Sequence, residues 1–320
     1  IPVYNVEKYV ARAIESVLQN GFDANRYEII VVDDESPDNS LAIVNQYVQK
    51  HANIRVISQS NKGLGGARNT GIGNATGKYL LFLDADDWYL PDTILHLISE
   101  AERLQVEILE FGAQGINPDR SVAYTKSMRS DVLDGINYYQ KYRYLDSACN
   151  KLYNRDFLAK YDLLFLEKLY IEDYEFNTRA MFRAQKVAAI ELIAAQFLQN
   201  PESITRNTEH AKHLKMQEDI ILVIQKINDF YQRNTDANSA PPAKNYFEQK
   251  LAFLTATLFY QLLKRNFAFA DLVNLRKRLQ QEQLFFVDSV IFDRKKEWFR
   301  VVFLRHFALL RIAKGLFKYI

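Results

Sequence analysis

The sequence predicts an α/β fold with a mostly parallel sheet covered by helices on both faces, followed by a helical region. Two patterns support this: helical stripes alternate with short apolar runs in the first part of the chain, and those runs end in acidic residues. Such alternation favours parallel strands joined by right-handed crossovers. Beyond residue 210, apolar residues recur at helical spacing without strand-like runs between them.

The elements at the start of the chain are predicted in order. They are a helix at 6–20, a strand at 27–33, a helix at 38–51, a strand at 53–58, a helix at 65–74 and a strand at 79–83. The first helix has an apolar stripe at helical spacing. The second follows polar residues that can cap its amino terminus. Loops that leave the carboxyl ends of the strands should converge on one edge of the sheet.

The most informative segment is 77–87, where a short apolar strand, predicted to be buried on both faces, runs into Asp84, Asp86 and Asp87. Open α/β sheets bind ligands at the carboxyl ends of their strands. Carboxylate oxygens suit Mg²⁺ or Mn²⁺, and magnesium is usually held by a few carboxylates together with substrate phosphates. The segment therefore predicts a divalent-cation site, although an isolated pair of this kind is more often an acidic turn.

A series of motifs then suggests a family. Four lie at 1–5 (IPVYN), 31–38 (VVDDESPD), 61–71 (NKGLGGARNTG) and 82–87 (FLDADD). In order and spacing they resemble the signatures of glycosyltransferase family 2, which has the GT-A fold. Glu35 stands where the family usually has glycine, and most of the family's first strand is expected to precede Ile1.

Later motifs are similar to the acceptor-side motifs of bacterial members that build surface polysaccharides. They lie at 150–153 (NKLY), 171–176 (IEDYEF) and 203–205 (SIT). The resemblance implies a catalytic domain at 1–210, with a donor half at about 1–112 and an acceptor half at about 113–210. A helical region follows at 211–320.

The resemblance also assigns donor-binding roles. It implies that Pro2, Tyr4, Glu7 and Ser36 belong to the nucleotide site of a nucleotide-sugar donor, which we expect to be a UDP-sugar. Asp33 or Asp34 accepts a hydrogen bond from the uracil N–H. The alternative for this acidic pair is capping of the helix at 38–51.

The phosphate and metal positions are assigned in the same way. The resemblance implies that Asp86 binds Mn²⁺ or Mg²⁺ directly and that Asp84 faces the ribose or a metal-bound water. Arg68 is expected to hold the diphosphate, with a salt bridge to a neighbouring acid as its alternative. Lys151, Arg206 and His210 are possible diphosphate or acceptor contacts, although a lone histidine in a polar loop is more often a surface residue.

Sugar transfer needs a base that accepts the proton of the attacking hydroxyl. The resemblance implies Asp173 for this role, with Glu172 as the competitor, and spacing alone does not choose between them. Either carboxylate could instead complement the positive end of a helix. One base opposite the leaving group implies inversion at the anomeric carbon. The acceptor is then a saccharide or a lipid-linked saccharide, and the transferred group a hexose or N-acetylhexosamine.

The rest of the composition limits the possible environments. The one cysteine, Cys149, is expected to be a packing residue. No apolar run is long enough to span a membrane. Residues 294–320 contain eight Lys or Arg and one acid, a net charge of +7, whereas the whole chain has +2.

Cations in this tail recur along one side of a predicted helix, with large apolar residues largely away from that side. The pattern predicts either peripheral contact with the cytoplasmic face of the membrane or a terminal helix docked on its neighbours. A homo-oligomer is possible, and a nucleic-acid partner is not expected because the remaining residues are acidic overall.

Two other classes of protein are alternatives to a glycosyltransferase. A dinucleotide oxidoreductase would place its glycine motif in the first strand–turn–helix unit, whereas Gly63 and Gly65 belong to a later one. A catalytically inactive scaffold with a sugar-nucleotide fold at the membrane surface is the alternative that motifs alone do not exclude.

Overall fold

The structure, a computed structural model, describes residues 1–21, 23–200, 210–235, 241–265 and 267–313. The chain divides into two units, Ile1–Asn207 and Thr208–Ile320. The first unit contains the strands, and the second is helical.

Three parallel strands form the first sheet, in the order β1 (Pro2–Val3), β2 (Ile29–Asp33) and β3 (Ile54–Ser58). Every residue of β2 is buried, because helices α1 (Val10–Leu18) and α2 (Ser40–Val48) pack around it in one apolar cluster. The register aligns the carboxyl ends of the strands, so Val3, Asp33 and Ser58 lie side by side. The predicted alternation is confirmed here, with elements shorter than predicted.

The second sheet has six strands. They are β4 (Tyr79–Leu81), β5 (Trp88–Tyr89), β6 (Ile108–Ile116), β7 (Val122–Lys126), β8 (Lys151–Asn154) and β9 (Val187–Leu198). Their order is β4-β8-β6-β9-β5, with β7 paired to β6. Only the β6–β9 pair is parallel. The expectation of mostly parallel strands is therefore wrong for this sheet. Strands β4 and β6 pair antiparallel with the distant strand β8, β5 pairs antiparallel with β9, and a short turn returns β7 beside β6.

Strand β4 also differs from its prediction. It ends at Leu81, two residues early, and its residues are half-buried rather than buried on both faces. It pairs only with β8 and so lies at the edge of the sheet. Phe82 and Leu83, which follow it, are buried and lead into the acidic segment.

The remaining helices of the first unit are α3 (Gly63–Asn74), α4 (Ile94–Leu104), α5 (Gly135–Tyr142), α6 (Arg155–Lys160) and α7 (Glu172–Arg183). A short 3₁₀ turn lies at Ala24–Arg26. Helix α4 packs Leu97 and Ala101 against Leu109 and Phe111 of β6 in a second apolar cluster. Helices α3 and α7 carry the charged residues of the site described below.

The second unit begins with three helices, α8 (His210–Asn234), α9 (Pro241–Lys264) and α10 (Phe269–Gln281). The apolar residues that recur at helical spacing in α8 and α9 are mostly buried, and Leu214 is exposed. Leu214 precedes Ile220 by six residues, and this rotates it about 120° around the helix. Among the described residues, no helix is both long and apolar enough to cross a bilayer.

The basic tail does not form the one continuous helix that was predicted. It contains α11 (Arg294–Phe299), a π-helical turn at Arg300–Leu304, a 3₁₀ turn at Phe307–Leu309 and α12 (Leu310–Ala313). Arg300 is buried and paired with Glu297 rather than solvated. Residues 314–320, with Lys314 and Lys318, lie outside the described residues.

Aromatic contacts dock this tail on α9. Phe299 packs against Tyr260, and Phe307 packs against Phe259. For residues 294–310, the structure therefore has the docked arrangement that was the alternative to a free interfacial helix.

Candidate active site

A buried arginine joins three acidic side chains at the centre of the site. The Arg68 guanidinium donates to Asp84 at 2.7 Å, to Glu172 at 2.8 Å and to Asp173 at 2.5 Å. Its side chain is 1% exposed. Arg68 thus forms the salt bridges that were its alternative role. These bridges join Asp84, in the acidic segment after β4, to the amino terminus of α7. We call these four residues the Arg68 cluster.

Burial shifts the ionisation of this cluster. Burial alone would lower the pKa of Arg68, but Asp173 and Asp84 raise it well above its ordinary value. Burial, followed by the Asp173 charge, raises the pKa of Glu172 to about 7. Burial also raises the pKa of Asp173, while Arg68 and a hydrogen bond from the Ala148 N–H act in the opposite direction. The cluster carries more negative than positive charge when its carboxylates are ionised.

The glycine-rich motif explains how Arg68 reaches α7. A Cβ on Gly65 would lie 2.2 Å from the Leu166 carbonyl oxygen, so only glycine allows this approach. Next to Arg68, Asn69 accepts from the Phe165 N–H at 2.7 Å and donates to the Phe165 carbonyl at 2.9 Å. Helix α3 is therefore fixed to the loop before α7. The sequence analysis did not identify Asn69, although it lies within the quoted motif.

The acidic pair at the end of β2 has two different roles. Asp34 accepts from the N–H groups of Lys62 and Gly63 at 2.9 and 2.8 Å, and from the Gln59 side chain at 2.7 Å. It therefore holds the turn that leads into α3. Asp33 accepts only from the Ser36 N–H, at 3.1 Å, so its second oxygen has no donor among the described residues. Neither residue caps α2.

The loop between β2 and α2 is fixed by Asp38, the last residue of the motif at 31–38. Asp38 accepts from the Glu7 N–H at 2.8 Å and from the Ser36 hydroxyl at 2.7 Å. Burial raises its pKa, but hydrogen bonds from Ser40, Ser36 and the Glu7 N–H lower it to about 2. The Glu7 carboxylate in turn accepts from the Asn39 N–H at 3.0 Å. Glu7 and Ser36 thus support the wall of the predicted nucleotide pocket.

Residues 1–5 and Glu35 complete this end of the site. Pro2 lies in β1 opposite Val32, and the Tyr4 side chain is 53% exposed beyond the end of that strand. Glu35 has φ of +64°, a left-handed backbone that glycine adopts without cost. The family's usual glycine therefore suits this turn, and here the Glu35 carboxylate accepts from the Asn61 N–H at 3.0 Å.

The acidic segment after β4 separates its three carboxylates. Asp84 reaches Arg68, whereas Asp87 is buried and accepts from the Leu198 N–H at 2.8 Å, which fastens the segment to β9. Burial, followed by Asp86 and Asp84, raises the pKa of Asp87 well above its ordinary value. Asp86 is half-buried, and its carbonyl accepts from Arg12. The sequence analysis missed Arg12, which nothing in the helical stripe singles out.

The donor chemistry of this segment suits a hard divalent cation. Asp84 and Asp86 supply carboxylate oxygens two positions apart at a loop. Among the described residues, no group of three or more His, Cys, Asp or Glu side chains is arranged to hold a metal ion by itself. A cation here would therefore complete its coordination with phosphate oxygens and water, which is the usual arrangement for magnesium.

The remaining predicted contacts have different outcomes. Lys151 is fully buried and donates to the carbonyls of Leu145 and Ser147, so it holds the loop before β8 rather than facing a ligand. Cys149 is buried as predicted. Arg206, the side chain of His210 and the motif at 203–205 lie outside the described residues.

Comparison with known proteins identifies the family. The profile described as glycosyl transferase family 2 matches residues 1–162, just over half of the 320-residue chain. The chain belongs to this family. Uncharacterized glycosyltransferase EpsJ of Bacillus subtilis (strain 168) is 32% identical to this family 2 chain over 213 residues, which is 64% of the chain and 61% of EpsJ.

A second relative covers more of the chain. Poly(ribitol-phosphate) beta-glucosyltransferase of Bacillus spizizenii is 27% identical over 303 residues, which is 94% of the chain and 43% of that protein. The family 2 chain thus spans less than two thirds of either relative.

Solved structures support the GT-A fold. S. aureus TarS 1–349 in complex with UDP-GlcNAc has a TM-score of 0.60 and 21% identity, with 82% of each chain covered. The mannosyltransferase PcManGT of Pyrobaculum calidifontis, in complex with GDP-Man and Mn²⁺, has a TM-score of 0.54 and 16% identity, with 79% of this chain and 68% of that one covered. The predicted fold class is confirmed.

The Arg68 cluster predicts a pH-dependent loss of stability. Removing one partner of a buried ion pair costs about 3–5 kcal/mol, so we expect Arg68→Met to lower the free energy of unfolding by about that much at pH 8. The loss should be smaller at pH 5. The pKa of Glu172 is already raised from 4.5 to about 7, and without Arg68 the carboxylates bind protons more tightly in the folded state, so lowering the pH restores stability.

Urea unfolding at both pH values, followed by tryptophan fluorescence, measures the effect. All variants carry Trp298→Phe, so that Trp88 is the remaining tryptophan and reports on the first unit. Arg55→Met, which breaks a partly exposed pair with Glu28, is the matched control. Equal losses at pH 5 and pH 8, or an equal loss in the control, would contradict the prediction.

Proposed function

We propose that this protein is an active, inverting, metal-dependent glycosyltransferase. It transfers a hexose or N-acetylhexosamine from a UDP-sugar to a saccharide or lipid-linked acceptor in the synthesis of a cell-surface polysaccharide or glycoconjugate. The Arg68 cluster, which brings Asp84 and the two α7 carboxylates onto one guanidinium, is the observation that carries the proposal. Structures of S. aureus TarS 1–349 in complex with UDP-GlcNAc and with UDP support the donor class.

The nucleotide is proposed to bind at the end of β2. The second oxygen of Asp33, which has no donor among the described residues, would accept the N–H of uracil. Tyr4, exposed beside it, offers an aromatic face, and Pro2 continues the same edge of the first sheet. The turn that Asp34 holds closes this end of the pocket.

The cation, Mn²⁺ or Mg²⁺, is proposed to bind Asp86 directly, with Asp84 towards the ribose or a bound water. When bound, it would neutralise charge that grows on the departing diphosphate. Arg68 is occupied by Asp84, Glu172 and Asp173. We therefore assign it to holding these carboxylates in place rather than to binding the diphosphate.

Asp173 is proposed as the base. Its side chain is 22% exposed, against 8% for Glu172, so an acceptor hydroxyl can reach it more easily. The Ala148 N–H and Arg68 orient its carboxylate and favour the ionised form. Asp173 would accept the proton of the attacking hydroxyl as the new glycosidic bond forms and the bond to the diphosphate breaks, with inversion at the anomeric carbon.

Donor binding is expected to require the cation. Calorimetry should detect UDP binding with Mn²⁺ and much weaker binding without it, because phosphate oxygens complete the coordination. Asp86→Asn should remove the difference, and Glu100→Gln, a half-buried acid on α4 that pairs with Arg103, should not. Equal affinities with and without Mn²⁺ would contradict the metal assignment. No binding in either condition would favour the inactive scaffold, and stronger binding of GDP would contradict the uracil contact.

The base is tested by turnover. Asp173→Asn should leave UDP affinity nearly unchanged and lower kcat by about a hundredfold or more, because a base contributes at least that much. Hydrolysis or transfer of a radiolabelled UDP-sugar measures kcat, and Glu172→Gln is the matched comparison. A greater loss for Glu172→Gln would transfer the role to that residue, and lost UDP binding would assign Asp173 to the donor.

We also propose that the enzyme works at the cytoplasmic face of the membrane, where a lipid-linked acceptor is available. The outward face of the tail supports this contact. Trp298, 53% exposed, and Val301 lie on it together with Arg294, Lys295 and Arg305. This mixed face differs from the predicted basic face, and it would place apolar side chains and cations against an anionic surface together.

The membrane contact is tested with point variants, because truncation would also remove buried residues such as Phe299. Trp298→Gln combined with Lys295→Gln should reduce co-sedimentation with liposomes that contain phosphatidylglycerol, and added salt should weaken binding of the unchanged protein. Leu214→Gln, an exposed apolar residue on α8, is the control. Binding that is unaffected by the double variant would exclude this face.

A further inference from the structure

A cavity in the first unit lies apart from the Arg68 cluster. Its volume is about 890 Å³, and its lining comes from the start of α1, from β5, from the turn between β6 and β7 and from the end of β9. None of Asp33, Asp84, Glu172 and Asp173 lines it. This size suits a ligand larger than a single phosphate group.

The charges on the lining share one sign. Lys8, Arg12 and Arg120 line the cavity, and no Asp or Glu does. Lys8 and Arg120 are exposed, and no ion pair is found for either among the described residues. The pKa of Arg12 is lowered, mainly because the side chain is partly buried. The charges of Asp87 and Asp86 act in the opposite direction, and the charge of Arg120 lowers it further. Lys8 and Arg120, which face the cavity and have no acidic partner among the described residues, favour an anionic ligand.

The wall of the cavity is fixed before any ligand arrives. The Arg12 guanidinium lies 3.6 Å from the centre of the Trp88 ring, and the Trp88 N–H donates to the Gln196 side chain at 2.7 Å. Arg12 also donates to the Asp86 carbonyl at 2.8 Å. The same segment therefore carries the candidate metal ligand and one wall of the cavity.

We propose that this cavity binds an acceptor saccharide that carries a phosphate or carboxylate group. The anionic group contacts Lys8 and Arg120, while the sugar lies against Trp88 and the neighbouring apolar wall. The inference rests on the proposed function and adds to it a class of acceptor.

The direct test uses Trp88 fluorescence in the Trp298→Phe variant, with UDP and Mn²⁺ present. Glucose 6-phosphate should change the emission saturably, and glucose should require at least about a tenfold higher concentration because it lacks the charge. Lys8→Gln and Arg120→Gln should each weaken glucose 6-phosphate binding by about fivefold, the effect of an exposed ion pair. Lys50→Gln, an exposed lysine at the end of α2, is the matched control.

Each contrary outcome has a separate meaning. If glucose 6-phosphate displaces UDP, the cavity belongs to the donor diphosphate and the acceptor assignment fails. If inorganic phosphate binds as well as glucose 6-phosphate, the cavity selects an anion only and the saccharide part fails. If UDP binds with Mn²⁺ but glucose 6-phosphate does not bind, only this inference is overturned. If UDP does not bind, the proposed function is overturned first.

Discussion

The candidate active site depends on a single buried cation. Arg68 connects Asp84, in the acidic segment after β4, to the first turn of α7. These two segments are almost ninety positions apart in the sequence. At an effective dielectric constant of about 20, two unit charges 4 Å apart interact by roughly 4 kcal/mol. Carboxylates gathered so closely would repel each other strongly without the guanidinium, so the arginine decides whether these two segments can meet.

Two features of the backbone make this contact possible. Gly65 lets α3 approach the Leu166 carbonyl, and this places Arg68 within reach of α7. The first turn of α7 then presents Glu172 and Asp173 where unpaired N–H groups favour negative charge. The helix terminus and the guanidinium therefore act together on the same carboxylates, and Gly65 of the glycine-rich motif serves packing.

The sequence predicted the local elements of the fold better than their partners. Alternation of helix and strand was readable because periodicity is local, whereas the antiparallel pairs of the second sheet join strands that lie far apart in the chain. The same limit applies to the site. Motifs identified Asp33 and Asp34 as a pair, but only the donors at Lys62 and Gly63 separate their roles. The charge pattern of the tail also did not indicate that Arg300 is buried and paired with Glu297.

Several carboxylates of the site accept hydrogen bonds from main-chain N–H groups. Asp34 accepts from Lys62, Asp38 from Glu7 and Asp87 from Leu198, in each case through the backbone amide. Every residue except proline supplies that donor. Side chains at 62 and 198 can therefore diverge without loss of these contacts, whereas each aspartate has no equivalent substitute. The side chains of these segments can therefore change in evolution while the three aspartates hold the backbone in place.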